Sequence, residues 1–70
     1  MQEGGEINMP IINVKMLEGR SLEQKRELAE VLTRETVRIL NIKPEVVEMV
    51  IEEYPRTNWA SAGQLYSDKK

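Results

Sequence analysis

The chain has 70 residues, a formal net charge of −2, and neither cysteine nor histidine. That length allows one domain with a marginal core, and the missing residue types exclude disulfides, thiolate chemistry, imidazole acid–base catalysis and nearly every zinc site. Small scaffolds without such supports depend on self-association, so an oligomer is expected and no cofactor is.

No basic stretch interleaved with aromatics points to nucleic acid. No apolar run approaches the roughly 18 residues of a membrane span. The N-terminus lacks the basic and apolar regions of a signal peptide, so a soluble, cytoplasmic protein is the expectation.

Residues 1–8, MQEGGEIN, offer almost nothing to pack and are expected as a disordered extension. The segment PIINVKML, residues 10–17, alternates. Ile12, Val14 and Met16 share one face, and Ile11, Asn13, Lys15 and Leu17 the other, which predicts a strand opening at Pro10. EGRS, residues 18–21, is a turn. Ser21 followed by Gln24 forms a capping box, with Glu23 adding a favourable charge in the first helical turn. The helix runs to about Asn41, where Pro44 forbids its continuation. At about 100° per residue, Leu28, Ile39, Leu32, Thr36, Ala29 and Leu40 fall within one arc, and Arg34 lies opposite in water.

A second strand is predicted over EVVEMVIEE, residues 45–53, with Val47, Met49 and Ile51 on one face and Val46, Glu48, Val50 and Glu52 on the other. Beyond it, Ala60, Ala62 and Gly63 permit a short hairpin. Strand–helix–strand order implies a right-handed βαβ unit with parallel strands, so the fold class is α/β with a short C-terminal hairpin. Parallel sheets are normally covered on both faces. The single helix covers one, and a second subunit is expected on the other.

Met9-Pro10 admits two readings. An internal proline merely starts the strand. A chain beginning at Met9, with that methionine removed, instead leaves Pro10 with a free secondary amine. An α-amino group titrates near 7.7–8.0, and an apolar pocket or a nearby arginine lowers that value, so the amine becomes a neutral base near pH 7. From the residues alone, the strand-initiating proline with an ordinary amide is the stronger of the two readings.

PIINVKMLEGRSLEQKRELAEVLTRETVRIL, continued by VEMVIEE and NWASAGQL, resembles the 4-oxalocrotonate tautomerase family over residues 10 to about 65. The resemblance implies an isomerase with Pro10 as the general base, moving a proton in small unsaturated 2-hydroxy or 2-oxo acids. By the same resemblance Arg20 holds the substrate carboxylate, Trp59 is the active-site aromatic, the site lies between subunits, and the chain forms a homohexamer. The sequence departs from the family pattern in three places. Glu48 stands where a second arginine is expected, and Arg56 is the nearest candidate to replace it. Read as a surface strand residue, Glu48 would pair with Lys15. The glycine-rich turn reads Ala60-Ser61-Ala62-Gly63, and nine residues precede Pro10.

Codons for Gly4-Gly5-Glu6 can spell a purine-rich ribosome-binding element just upstream of Met9. Residues 1–9 are therefore expected to be an extension or the product of a misassigned start, and residues 10–70 the domain. A chain that retains residues 1–9 is expected to be inactive. The alternatives are a non-catalytic oligomeric scaffold with Pro10 blocked, or a related proline-dependent dehalogenase or decarboxylase.

Overall fold

A computed structural model describes residues 9–69. The expected N-terminal extension, apart from Met9, lies outside the described residues.

The first strand, β1, spans Ile11–Leu17. Gly19 follows at φ 125°, a conformation open to glycine, and lets the chain turn from the strand into the helix within a few residues. The helix α1 covers Leu22–Leu40. Its start is fixed by the expected capping box: the Gln24 N–H donates to Ser21 Oγ at 3.1 Å, and the Ser21 N–H donates to Gln24 Oε1 at 3.0 Å. Asn41 ends it in the left-handed conformation, its N–H donating to the Val37 carbonyl at 2.8 Å.

The second strand, β2, covers Glu48–Tyr54, starting later than the expected residue 45. Pro44–Val46 forms a 3₁₀ turn instead. Proline's fixed φ suits the first position of a helical turn, and the Val47 N–H closes that turn on the Pro44 carbonyl at 3.1 Å. Val46 and Val47 therefore belong to neither sheet face.

β1 and β2 pair in parallel, with Ile11 opposite Glu48, Val14 opposite Ile51 and Lys15 opposite Glu52. One face carries Ile12, Val14, Met16, Met49, Ile51 and Glu53. It lies under α1, where the Lys25 ammonium meets the Glu53 carboxylate at 2.8 Å. Leu28, Leu32 and Thr36 are half-buried on the helix, whereas Ala29, Ile39 and Leu40 from the expected arc are exposed. Arg34 is exposed, as its position on the helical wheel requires.

A 3₁₀ turn at Arg56–Asn58 leads into the hairpin, β3 (Ala60–Ser61) with β4 (Gln64–Leu65). Its two-residue loop has positive φ at both Ala62 (55°) and Gly63 (81°). Tight hairpins favour that geometry, and alanine in it costs about 1–2 kcal/mol. The hairpin thus forms with Ala62 in this position.

The opposite sheet face carries Ile11, Asn13, Lys15, Leu17, Glu48, Val50, Glu52 and Tyr54; Trp59 meets Tyr54 at its far end, while Ile11, Asn13, Lys15, Glu48 and Val50 are exposed. No described residue is fully buried, and Ile11 (69% exposed) and Ile39 (66%) present large apolar surfaces. Covering such a side chain contributes about 1.5–3 kcal/mol, a large fraction of a small domain's stability.

Candidate active site

The loop after β1 and the segment after β2 emerge at the same end of the parallel pair. The Glu18 N–H continues the ladder to the Tyr54 carbonyl at 2.9 Å. From that point Gly19 turns the chain and sets Arg20 just ahead of the helix cap, while Arg56 opens the 3₁₀ turn after Pro55. Arg20, Arg56 and Trp59 line one open cavity of about 450 Å³, with Lys15, Met16, Leu17, Glu18, Gly19 and Tyr66. Three of the four residues singled out in the sequence are therefore brought together. Among the described residues, neither guanidinium is engaged by a carboxylate of the chain. Two free, planar, permanently charged forks beside an indole suit a small organic carboxylate.

Tyr66 and Lys15 were not singled out in the sequence. Tyr66 was within reach of hairpin logic, since a two-residue loop at 62–63 pairs 61 with 64 and 60 with 65, which brings 66 opposite 59. Its N–H donates to the Trp59 carbonyl at 2.7 Å. The Trp59 ring lies 6.0 Å from that of Tyr54, edge-on, and 6.3 Å from that of Tyr66. The Arg56 guanidinium carbon lies 5.6 Å from the Tyr66 ring centroid, and the Lys69 ammonium 5.1 Å from it.

Lys15 pairs with Glu52 and not with Glu48. The register decides this, placing Glu52 directly across from Lys15 and Glu48 across from Ile11. The hydrogen bond and charge of Glu52 push the Lys15 ammonium above its ordinary pKa. The Glu52 carboxyl is held below the usual range first by its hydrogen bond from Lys15, then by that from the Tyr54 hydroxyl, which donates at 3.0 Å.

Pro10 is elsewhere. It precedes β1, and its carbonyl accepts from the Glu48 N–H at 3.0 Å. The strand between Pro10 and the cavity spans seven residues, roughly 20 Å at about 3.3 Å per residue. No single chain brings Pro10 to the arginines. A larger apolar groove, about 620 Å³, runs along α1 beside Ala29, Thr33, Val37 and Pro44 and shares no residue with the arginine cavity.

Residues 10–69 match the family model described as tautomerase enzyme. The chain belongs to the tautomerase family. A probable tautomerase of Halalkalibacterium halodurans is 43% identical over 61 residues, covering 87% of this chain and all of that protein. The 2-hydroxymuconate tautomerase of Bacillus subtilis is 42% identical over 60 residues, covering 86% of this chain and 97% of that one. Among solved structures, a heterohexamer 4-oxalocrotonate tautomerase from Chloroflexus aurantiacus superposes with a TM-score of 0.83 at 34% identity, over 89% of this chain and all of that one. The β-α-β unit with parallel strands and a C-terminal hairpin is thus the fold of this tautomerase chain as well as of its relatives.

Proposed function

We propose that this chain is a tautomerase in which the free amine of Pro10 is the general base, acting on small unsaturated 2-hydroxy and 2-oxo acids. The observation that carries the reading is the meeting of Arg20, Arg56 and Trp59 in one cavity of a chain whose family match begins at Pro10.

Pro10 and that cavity lie at opposite ends of β1, so the working site takes its base from one copy and its arginines and Trp59 from another. Self-association then serves two ends, covering the open sheet face and completing the site. A homohexamer in the cytoplasm is the assembly we propose, in keeping with the hexameric relative. The arginines hold the substrate carboxylate. The Pro10 lone pair takes the hydroxyl proton of the 2-hydroxy acid. The electrons left on oxygen form the carbonyl while the ammonium returns a proton to carbon, so the base is regenerated. Nearby guanidinium charge disfavours the ammonium and keeps the amine neutral near pH 7.

The same chemistry fails when Met9 is attached, because an amide nitrogen has no basic lone pair. The native chain is therefore proposed to start at Met9 and to be trimmed to Pro10, with residues 10–70 as the domain. A chain starting at Met9 is expected to have Pro10 as its first residue by mass spectrometry and to ketonise phenylenolpyruvate. The full 70-residue chain, its extension intact by mass, is expected to be far less active. Equal turnover by the two would remove Pro10 as the base. It would leave the scaffold reading, which Glu48 beside Pro10 also favours, because a carboxylate there repels an acidic substrate.

A further inference from the structure

The C-terminal turn, Tyr66–Asp68, brings an aromatic ring to the cavity and sets two cations against it. Arginine side chains are long and lose much rotamer freedom when held in one place. An exposed guanidinium contributes to binding in proportion to how far it is already placed before the ligand arrives. Arg56 is exposed and has no carboxylate partner among the described residues, so the ion-pair network does not place it. The Tyr66 ring does, with the guanidinium carbon 5.6 Å from its centroid. Tyr66 is in turn fixed by its N–H bond to the Trp59 carbonyl and by contact with the indole. The cavity lining carries Lys15, Arg20 and Arg56 against a single carboxylate, Glu18, and Lys15 is already neutralised by Glu52. What the lining lacks is an anion facing Arg20 and Arg56.

We propose that Tyr66 is a positioning residue that holds Arg56 in the cavity by a cation–π contact, so that Arg56 and Arg20 take the substrate carboxylate together. This rests on the reading of the cavity as the carboxylate site, but not on Pro10 being the base. The hairpin and the turn after it then belong to the binding site: the register that sets residue 66 beside residue 59 also aims the second arginine.

The test separates binding from turnover. Trp59 is the only tryptophan of the chain and lines the cavity, so quenching of its fluorescence by crotonate, an unreactive unsaturated carboxylate, reports occupancy in the full 70-residue chain. Arg56→Ala is expected to weaken crotonate binding about tenfold or more, in line with loss of one charge-assisted contact. Tyr66→Leu, which keeps apolar bulk but no π face, is expected to weaken it about twofold to fivefold. Tyr66→Phe is expected to bind as the unaltered chain does. The double variant Tyr66→Leu/Arg56→Ala is expected to bind no more weakly than Arg56→Ala alone, since the ring acts only through the arginine. In the Met9-start chain, Tyr66→Leu is expected to raise KM with little change in kcat.

Undiminished binding by Tyr66→Leu overturns the proposal. So does a loss in Tyr66→Phe equal to that in Tyr66→Leu, or additive losses in the double variant. Should Tyr66→Leu fail to fold, the unaltered chain still decides: the Arg56 δ-protons are expected to show an upfield ring-current shift by NMR, and its absence overturns the proposal. An inactive Met9-start chain with the binding series intact would sink the Pro10 reading and leave this one standing.

Discussion

The two ends of β1 differ in charge, in exposure and in what each lacks. At its start stand Pro10 and, hydrogen-bonded to it through the backbone, Glu48, beside the exposed Ile11. At its far end the cavity gathers Arg20 and Arg56 between Trp59 and Tyr66. The first end offers a nitrogen that can become a base and a carboxylate that favours cations. The second offers two guanidinium groups with no carboxylate partner among the described residues. A seven-residue strand is short by most measures, yet it keeps the two apart by roughly 20 Å, farther than any small acid spans. On the proposed mechanism each end is half of a site, and the parallel pair keeps the two apart within one chain. On that reading, assembly of copies is what joins them.

The largest expected effect tests that division directly. The full-length chain has intact arginines and a blocked Pro10, while a Met9-start chain carrying Arg20→Ala has the reverse. Each alone is expected to be nearly inactive. Unfolded and refolded together, they are expected to recover activity, because mixed assemblies pair a free amine with an intact cavity. Mixed assemblies that form by native mass spectrometry yet stay inactive would mean that the halves do not combine across copies. The next effect compares two arginines. In the Met9-start chain, Arg20→Ala is expected to lower kcat/KM for a carboxylate substrate roughly 10- to 100-fold, the loss of a charge-assisted contact. Arg34→Ala, on the solvated helix face, is expected to change it little. Equal small effects would take Arg20 out of the site.

How much of this was legible in the sequence follows the range of each interaction. The capping box, the helix end at Asn41 and the alternation of β1 are local patterns, and the structure has them where the pattern puts them. The start of β2 was misplaced because valines in a 3₁₀ turn and valines in a strand look alike, and Pro44 suits either. The partner of Lys15 was misplaced because parallel register is set across the whole helical crossover and leaves no mark on either strand alone. Arg20 and Trp59 were legible only through resemblance, and Arg56 only as the nearest arginine. Their shared cavity depends on where two loops leave the sheet, which no local pattern encodes. Tyr66 was missed although hairpin pairing implied it, because the loop sequence Ala-Gly is a weaker turn signal than Asn-Gly.

A smaller effect is expected from Glu48, at the Pro10 end. A carboxylate close to a free amine favours its ammonium form and opposes the lowering by arginines. Glu48→Gln in the Met9-start chain is expected to shift the acidic limb of the kcat/KM profile, set by protonation of the amine, to lower pH by up to about one unit. It is also expected to lower KM for doubly charged substrates more than for singly charged ones. An unmoved profile would mean that Glu48 does not sense the amine in the assembly, and the contrast between the two ends would then be one of sequence position and not of chemistry.

The smallest expected effect concerns the edge of the cavity, where Lys15, Glu52 and Tyr54 form a hydrogen-bonded chain across the strands. Glu52 is held below the usual carboxylate range in the folded chain. Its contribution to stability is therefore complete above the unfolded carboxylate pKa and is lost as pH falls through the lower folded value. Lys15 is held above its ordinary value, so its contribution is complete below the unfolded lysine pKa and is lost as pH rises through the higher folded one. Lys15 is exposed and Glu52 only half-buried, and such pairs contribute little. Lys15→Met is thus expected to lower the urea midpoint only slightly at neutral pH. Protein concentration must be fixed in this comparison, because unfolding of an assembly depends on it. The difference from the unaltered chain is expected to vanish in strong acid, where Glu52 is protonated and the ammonium has no charge to meet. It is also expected to shrink with added salt. A difference that persists in acid would mean that Lys15 acts through the packing of its methylene stem over the open sheet face, not through its charge.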